Sequence, residues 1–413
     1  MSVPTNQSPT SIQFVCQVFY PDQESTSQLF TDLLRELAGR GYHFHVEAGY
    51  PVAMDRRAAA ELPSEEEIVP GLRVRRSGGG GLNKKSLASR LWRYLRYSGG
   101  VLRGLREGRR DTFVFGVTNP PFLPVLLWVG SILFRFRYQV MLHDVYPDGL
   151  VAVGMLKPKG LVSSFWRRLN RNALNRADRV LVLGRDMQQL VTKRYGVDPA
   201  KCHYIPHWSS YEPAEIRIAE ETHLWSQLNL EKAFVVQYSG NMGLWHDMKT
   251  IVRAAKRVED ENPEVVFLLI GAGRRREEAE KLSVELGCGN IRWLPYQPKE
   301  TLSDSLACCH VALISQRKGL EGVAVPCKVY GILAAGRPIL GLVPEQSEVA
   351  EVIREEDCGM VVDPEDADAA ASRILDLAAD RERALAMGKR GFRAYQKKYT
   401  LGIAVEKFEE LWK

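Results

Sequence analysis

The chain is 413 residues long, beyond the roughly 250 to 300 at which one hydrophobic core stops growing, so two domains are expected. With 45% hydrophobic and 26% charged residues it has the make-up of a folded globular protein, which excludes a disordered chain. Its net charge is only +6, and its seven cysteines are scattered without a CxxC pair, so reduced thiols are expected rather than a zinc site or redox centre.

Residues 1–11 are polar and uncharged; they read as a loose tail with no secretory signal, which predicts a cytoplasmic protein. Residues 12–19 then form a short β-rich run. A helical pattern follows at Leu29, Phe30, Leu33, Leu34 and Leu37, stopped by Gly39 and Gly41, and a second strand spans 42–47. Between 71 and 110 lie twelve Lys and Arg against one acid, Glu107, which is either a solvated face or a surface for an anionic partner. Within that block the glycines at 78–81 read as a flexible loop. Leu87, Leu91, Leu95, Leu102 and Leu105 recur there at helical spacing, flanked by Arg90, Arg93, Arg96, Arg103 and Arg106, with Trp92, Tyr94 and Tyr97. This predicts a helix lying in an anionic headgroup plane, with a break at Gly99 and Gly100. Strands are expected at 112–117, 138–142 and 179–183. The apolar run 122–134 is too short to span a bilayer and reads as a core helix.

The strand rhythm restarts at 233–238, after a stretch from 205 to 232 without a clear period that serves as a linker. Further strands follow at 265–270, 291–294, 311–314, 338–343 and 360–362. The expected class is therefore α/β, with parallel sheets in two Rossmann-like halves and a ligand in the cleft between them. The boundaries are 12–208 for the first domain and 209–389 for the second. A final helical segment, 390–413, has no strand after it and should cross back to the first domain.

At the end of the first strand of the second half stand Ser239, Gly240, Asn241, Met242 and Gly243, where small residues let backbone N–H groups approach an anion and the next helix would aim its positive end at it. A second glycine turn, Gly271 and Gly273, precedes Arg274, Arg275 and Arg276. Either turn alone equally well just ends a strand. His143 closes the strand at 138–142, where it is either a satisfied structural histidine or a group reaching sugar or phosphate. By the same placement rule Tyr20, Asp22 and Glu24, in the first loop, are acceptor-side candidates.

Five stretches together carry a resemblance: QYSGNMGLWHD at 237–247, LLIGAG at 268–273, VPCKVYGILAAGRP at 325–338, HDVYPD at 143–148 and IPHW at 205–208. They resemble family 4 glycosyltransferases, in the branch of colanic acid and O-antigen enzymes that includes N-acetyl-fucosamine transferases, over nearly the whole chain from Ile12 onward. The resemblance implies a GT-B fold, with a nucleotide-sugar donor on the second domain and a lipid-linked or saccharide acceptor on the first. It further implies transfer with retained anomeric configuration, without metal ion, cofactor or nucleic acid. Many family members carry Arg and Lys where this chain has Asn241 and His246, so phosphate binding would rest on backbone dipoles and on whatever charge His246 carries. The family's glutamate pair maps to Val323 and Gly331, neither acidic. Glu321 lies two positions earlier, and Lys328 and Tyr330 crowd the ribose side. The implied catalytic set is His143, Asp144 and Glu321, and the donor set is Gly240, Asn241, His246, Gly271, Gly273, Lys328 and Tyr330. A peripheral place on the inner face of the plasma membrane would bring the enzyme to a lipid-linked acceptor. The missing glutamates leave a silent GT-B scaffold subunit open as a rival, while the other rival, a nucleotide-sugar epimerase of the same fold, would need acids in the cleft that the sequence does not place there.

Overall fold

The computed structural model describes residues 11–22, 24–51, 59, 61–78, 87–108 and 113–413, and of 87–91 only the backbone. The expected tail, apart from Ser11, and the glycines at 79–81 fall outside these residues. The chain forms two compact units, one of Met1–Val151, Leu156–Pro206 and Leu401–Lys413, the other of Ala152–Met155 and His207–Thr400. The switch after Pro206 lies two residues before the boundary read from sequence. The terminal segment is two helices, Arg381–Lys398 and Leu401–Trp412, separated at Tyr399, so the return to the first unit starts at Leu401 rather than at 390.

The first unit is built on an eight-stranded sheet. In chain order its strands are β1 (Ser11–Val15), β2 (His43–Gly49), β3 (Glu65–Val69), β4 (Leu72–Ser77), β5 (Phe113–Val117), β6 (Arg137–Leu142), β7 (Arg179–Val182) and β8 (Cys202–Tyr204). Their spatial order is β3-β4-β2-β1-β5-β6-β7-β8, parallel except for the β3–β4 hairpin. That hairpin was not foreseen, and it changes the meaning of the basic block. Arg75 of β4 pairs with Glu47 at 2.7 Å and Glu107 at 2.6 Å, and Arg76 pairs with Glu66, so these cations are bound into the sheet rather than offered to a partner.

Helix Leu87–Glu107 is continuous through Gly99 and Gly100, contrary to the expected break. Glycine at 100 and 104 lets it lie close on β4, since a Cβ at 100 would meet the Ser77 side chain at 2.3 Å and one at 104 would meet Arg75 at 2.0 Å. Tyr97 is fully buried and donates its hydroxyl to the Glu47 carbonyl, so it is not an interfacial residue.

Leu401–Trp412 closes the other face of the same core. Trp412 packs against Tyr42, Phe44, Phe115 and Phe408, and Arg40 pairs with Glu409 at 2.7 Å. Trp412→Ala should therefore cost about 3–5 kcal/mol of first-unit stability by leaving a cavity among aromatic rings, seen as a lowered urea midpoint.

The second unit has a wholly parallel six-stranded sheet. Its strands are β9 (Phe234–Ser239), β10 (Val265–Ile270), β11 (Ile291–Leu294), β12 (Val311–Ser315), β13 (Ile339–Leu342) and β14 (Gly359–Val362), in the order β11-β10-β9-β12-β13-β14. Their apolar runs are buried on both faces, as helices covering a parallel sheet require. In such sheets the loops at the carboxyl ends of the strands carry the ligands.

Candidate active site

In the second unit the two glycine turns form one structure at the carboxyl ends of β9 and β10. Gly240 N donates to Ile270 O at 2.9 Å, Met242 N to Ala272 O at 2.8 Å, and Arg275 N to Met242 O at 2.9 Å. A Cβ at Gly271 would stand 2.0 Å from the Gly240 carbonyl oxygen, and one at Gly273 would stand 2.4 Å from that of Met242. The bare backbones of Gly271 and Gly273 thus seat one loop on the other. Gly240, at φ 130°, would instead direct a Cβ toward Lys328, whose Nζ lies 3.2 Å from that point. Its left-handed φ makes any side chain there strain the backbone, so a Gly240→Val variant would test folding together with binding.

Lys328 opens helix Lys328–Ala334 and turns its amine under this loop, 3.7 Å from the centre of the Tyr238 ring. The Nζ is buried and has no hydrogen-bond partner among the described residues. Burial lowers its pKa to about 7, so it sits poised between charged and neutral.

His246 has a different character from the one expected. Its Nδ1 lies 2.7 Å from the Ser315 carbonyl, which can only accept, so Nδ1 carries the proton. Burial, and next the neighbouring Lys328, lower its pKa to about 3. The imidazole is therefore neutral, its Nε2 is an acceptor, and it supplies neither charge nor a donor to a phosphate. The positive end of helix Met248–Glu261 is likewise taken, because the Asp247 carboxylate caps it through Thr250 N at 3.3 Å. Asn241 stands exposed at the rim of the turn, and its carbonyl accepts from Tyr238 Oη at 2.7 Å.

Glu321 lies on a loop shaped by Gln316, whose Nε2 donates to Leu320 O at 3.0 Å and Ala324 O at 2.9 Å. Arg317 N donates to Trp245 O at 3.0 Å and ties this loop to the one bearing His246. Glu321 Oε2 is buried with no hydrogen-bond partner among the described residues. Val323, at the position of the family's first glutamate, is an interior residue, and Tyr330 is 1% exposed and packs on Tyr399 with ring centres 5.0 Å apart. The structure thus assembles Gly240, Lys328, Tyr238 and His246, with Glu321 on an adjoining loop, and places Tyr330 in the core rather than at a pocket wall.

In the first unit a second polar cluster forms at the carboxyl ends of β5 and β6. Thr118 Oγ1 accepts from His143 N at 2.9 Å and from Asp144 N at 3.4 Å. The His143 ring stacks on Phe30 with centres 5.6 Å apart, and its Nδ1 lies 3.4 Å from Thr26 Oγ1. Burial lowers His143 to about 3 and raises Asp144 to about 7, giving a neutral imidazole beside a carboxyl that titrates near neutrality. Tyr20 is fixed at the rim, its carbonyl accepting from Arg76 at 2.9 Å and its ring 5.2 Å from the Arg35 guanidinium. Asp22 is buried, whereas Glu24 is exposed just before helix Ser25–Gly39. Thr118 and Thr26 carry no signal in the periodic pattern of the sequence, and Phe30 shows there only as a position of the helical repeat. Thr118 directly follows β5 and falls under the same strand-end rule that singled out His143.

Two families match this chain in succession. The Glycosyl transferase 4-like domain matches residues 27–208, and Glycosyl transferases group 1 matches residues 220–394. WbjE of Pseudomonas aeruginosa, described as a glycosyltransferase, is 29% identical over 73% of this chain and 74% of its own. WcaI of Escherichia coli K12, described as a colanic acid biosynthesis glycosyl transferase, is 26% identical over 54% of this chain and 55% of its own. Among solved structures, sucrose-phosphate synthase of Thermosynechococcus elongatus superposes with a TM-score of 0.72 at 16% identity, covering 97% of this chain and 98% of that one. HepE of Anabaena, in complex with UDP and glucose, gives 0.71 at 15% identity, with 97% and 98% covered. Both domain families, in this order on two parallel Rossmann-like sheets, identify the chain as a family 4 glycosyltransferase with the GT-B fold.

Proposed function

We propose that this enzyme moves a sugar from a UDP-linked donor to a lipid-linked or oligosaccharide acceptor in bacterial surface-polysaccharide synthesis, with retention and without a metal ion, at the inner face of the plasma membrane. The observation that carries the reading is Lys328. A departing diphosphate needs its growing negative charge stabilised, and neither Asn241 nor neutral His246 can supply a cation. The buried Lys328 amine beside Gly240 can. The UDP complex of HepE and the colanic acid role in the name of WcaI agree with the donor class and the pathway class.

In the proposed step the C1–O bond to the β-phosphate breaks and its electron pair stays on UDP, while the acceptor oxygen forms the new bond to C1 on the same face. The acceptor proton passes to the leaving phosphate oxygen, so no protein nucleophile is needed. Protonated Lys328 and the backbone around Gly240 hold the diphosphate. Glu321 faces the positive charge that develops on the sugar ring, and His246 Nε2 accepts from a sugar hydroxyl. On the first unit, His143 and the Asp144 carboxyl are the polar groups available to a sugar, and Tyr20, Asp22 and Glu24 those available to an acceptor.

Release of nucleoside diphosphate from a donor panel, with a polyprenyl-diphosphate sugar as acceptor, tests this. Acceptor-dependent release of UDP is the expected result. A folded protein that releases no nucleoside diphosphate from any donor would favour a scaffold role instead.

A further inference from the structure

We infer that three helices on one face of the first unit form a docking surface for an anionic lipid bilayer. It extends the proposed lipid-linked acceptor by naming how the enzyme reaches the lipid, but it stands on the surface itself. The connections β4 to β5, β5 to β6 and β6 to β7 all run the same way along the sheet, and right-handed crossovers put their helices on one face. These helices are Leu87–Glu107, Leu123–Phe134 and Leu161–Arg176, each packed against its neighbour.

Eight of the fifteen exposed large hydrophobic side chains among the described residues lie on these three helices, so the apolar exposure is concentrated rather than scattered. Leu161 is 91% exposed, Phe165 64%, Leu133 63%, Ile132 56%, Leu95 56% and Trp92 55%. Helix Leu123–Phe134 is thus only half a core helix. Leu123, Leu127 and Gly130 are buried while Ile132 and Leu133 face outward, which a run apolar on all sides could not reveal.

Charge selects the occupant. Between residues 113 and 177 there are eight Arg and Lys and two acids, Asp144 and Asp148. Asp148 is buried and shared between Arg167 at 3.0 Å and Arg194 at 2.5 Å, so this cluster keeps a net positive charge. Arg135 follows the outward end of one helix, Lys157 and Lys159 precede Leu161, Arg168 is one turn beyond Phe165, and all four are exposed. Aliphatic and aromatic side chains set among exposed cations suit the headgroup region of an anionic leaflet. No helix of the described residues is long and apolar enough to cross a membrane, so the contact is superficial. It is also wider than the single Arg-rich helix expected from sequence.

The test is co-sedimentation of the full chain with vesicles, using phosphatidylcholine alone or with phosphatidylglycerol, alongside calorimetric titration with UDP. The wild type should sediment with the phosphatidylglycerol vesicles only, and less in high salt. A Leu161→Glu, Phe165→Glu double variant should bind at least tenfold more weakly with unchanged UDP affinity. Val284→Glu, at an equally exposed apolar position of the second unit, should bind lipid like the wild type. Undiminished sedimentation of the double variant, or equal binding to neutral vesicles, would overturn the inference. Loss of UDP binding in the wild type would instead strike the proposed donor site and leave the lipid result standing.

Discussion

Lys328→Met is expected to weaken UDP binding roughly a hundredfold, because a charge-assisted contact to phosphate is worth about 1.5–3 kcal/mol. Methionine keeps the apolar stem against Tyr238 and removes only the charge, so folding should be retained. The pH dependence carries a definite sign. Lys328 has a pKa near 7 in the free protein, set by burial, and a bound diphosphate favours the protonated form and raises it. The contact is therefore fully present below pH 7 and is lost as pH rises through the higher pKa of the complex. Between the two values binding takes up a proton, visible as a buffer-dependent heat in calorimetry. The Met variant should show neither the decline above pH 7 nor the uptake. Equal affinity and equal proton uptake in variant and parent would remove Lys328 from the donor site.

Glu321→Gln is expected to lower kcat about a hundredfold with little change in KM, because the carboxylate acts on charge that appears only in the transition state. Its Oε2, buried with no hydrogen-bond partner among the described residues, leaves one carboxylate oxygen unused by the fold. The neutral amide should therefore leave the urea midpoint unchanged or raise it. Full turnover in this variant would show that the carboxylate is not used, and His143 would inherit the leading role.

The alternation of apolar runs and amphipathic segments made all six strands of the second unit legible, because buried parallel strands need unbroken hydrophobic stretches. The β3–β4 hairpin escaped because it is half charged, Glu65, Glu66 and Glu67 standing against Arg73, Arg75 and Arg76, and its stability comes from cross-strand pairs that no local period shows. Gly240 could be read from the chain as a turn after a strand. The neutrality of His246 could not, since it depends on its burial beside Lys328, and neither could the place of Lys328, set by Tyr238 on a strand remote in sequence. Gly271 and Gly273 show the converse. A motif was correctly seen, but the atoms its glycines make room for are those of the neighbouring loop.

Transfer with retention from a UDP-sugar is read from the proton NMR spectrum of the first product formed from an α-linked UDP-sugar. The expected product carries an α linkage and appears in step with released UDP. A β-linked product would require a base and attack from the opposite face, and would contradict the mechanism built here on Lys328 and the donor's own phosphate.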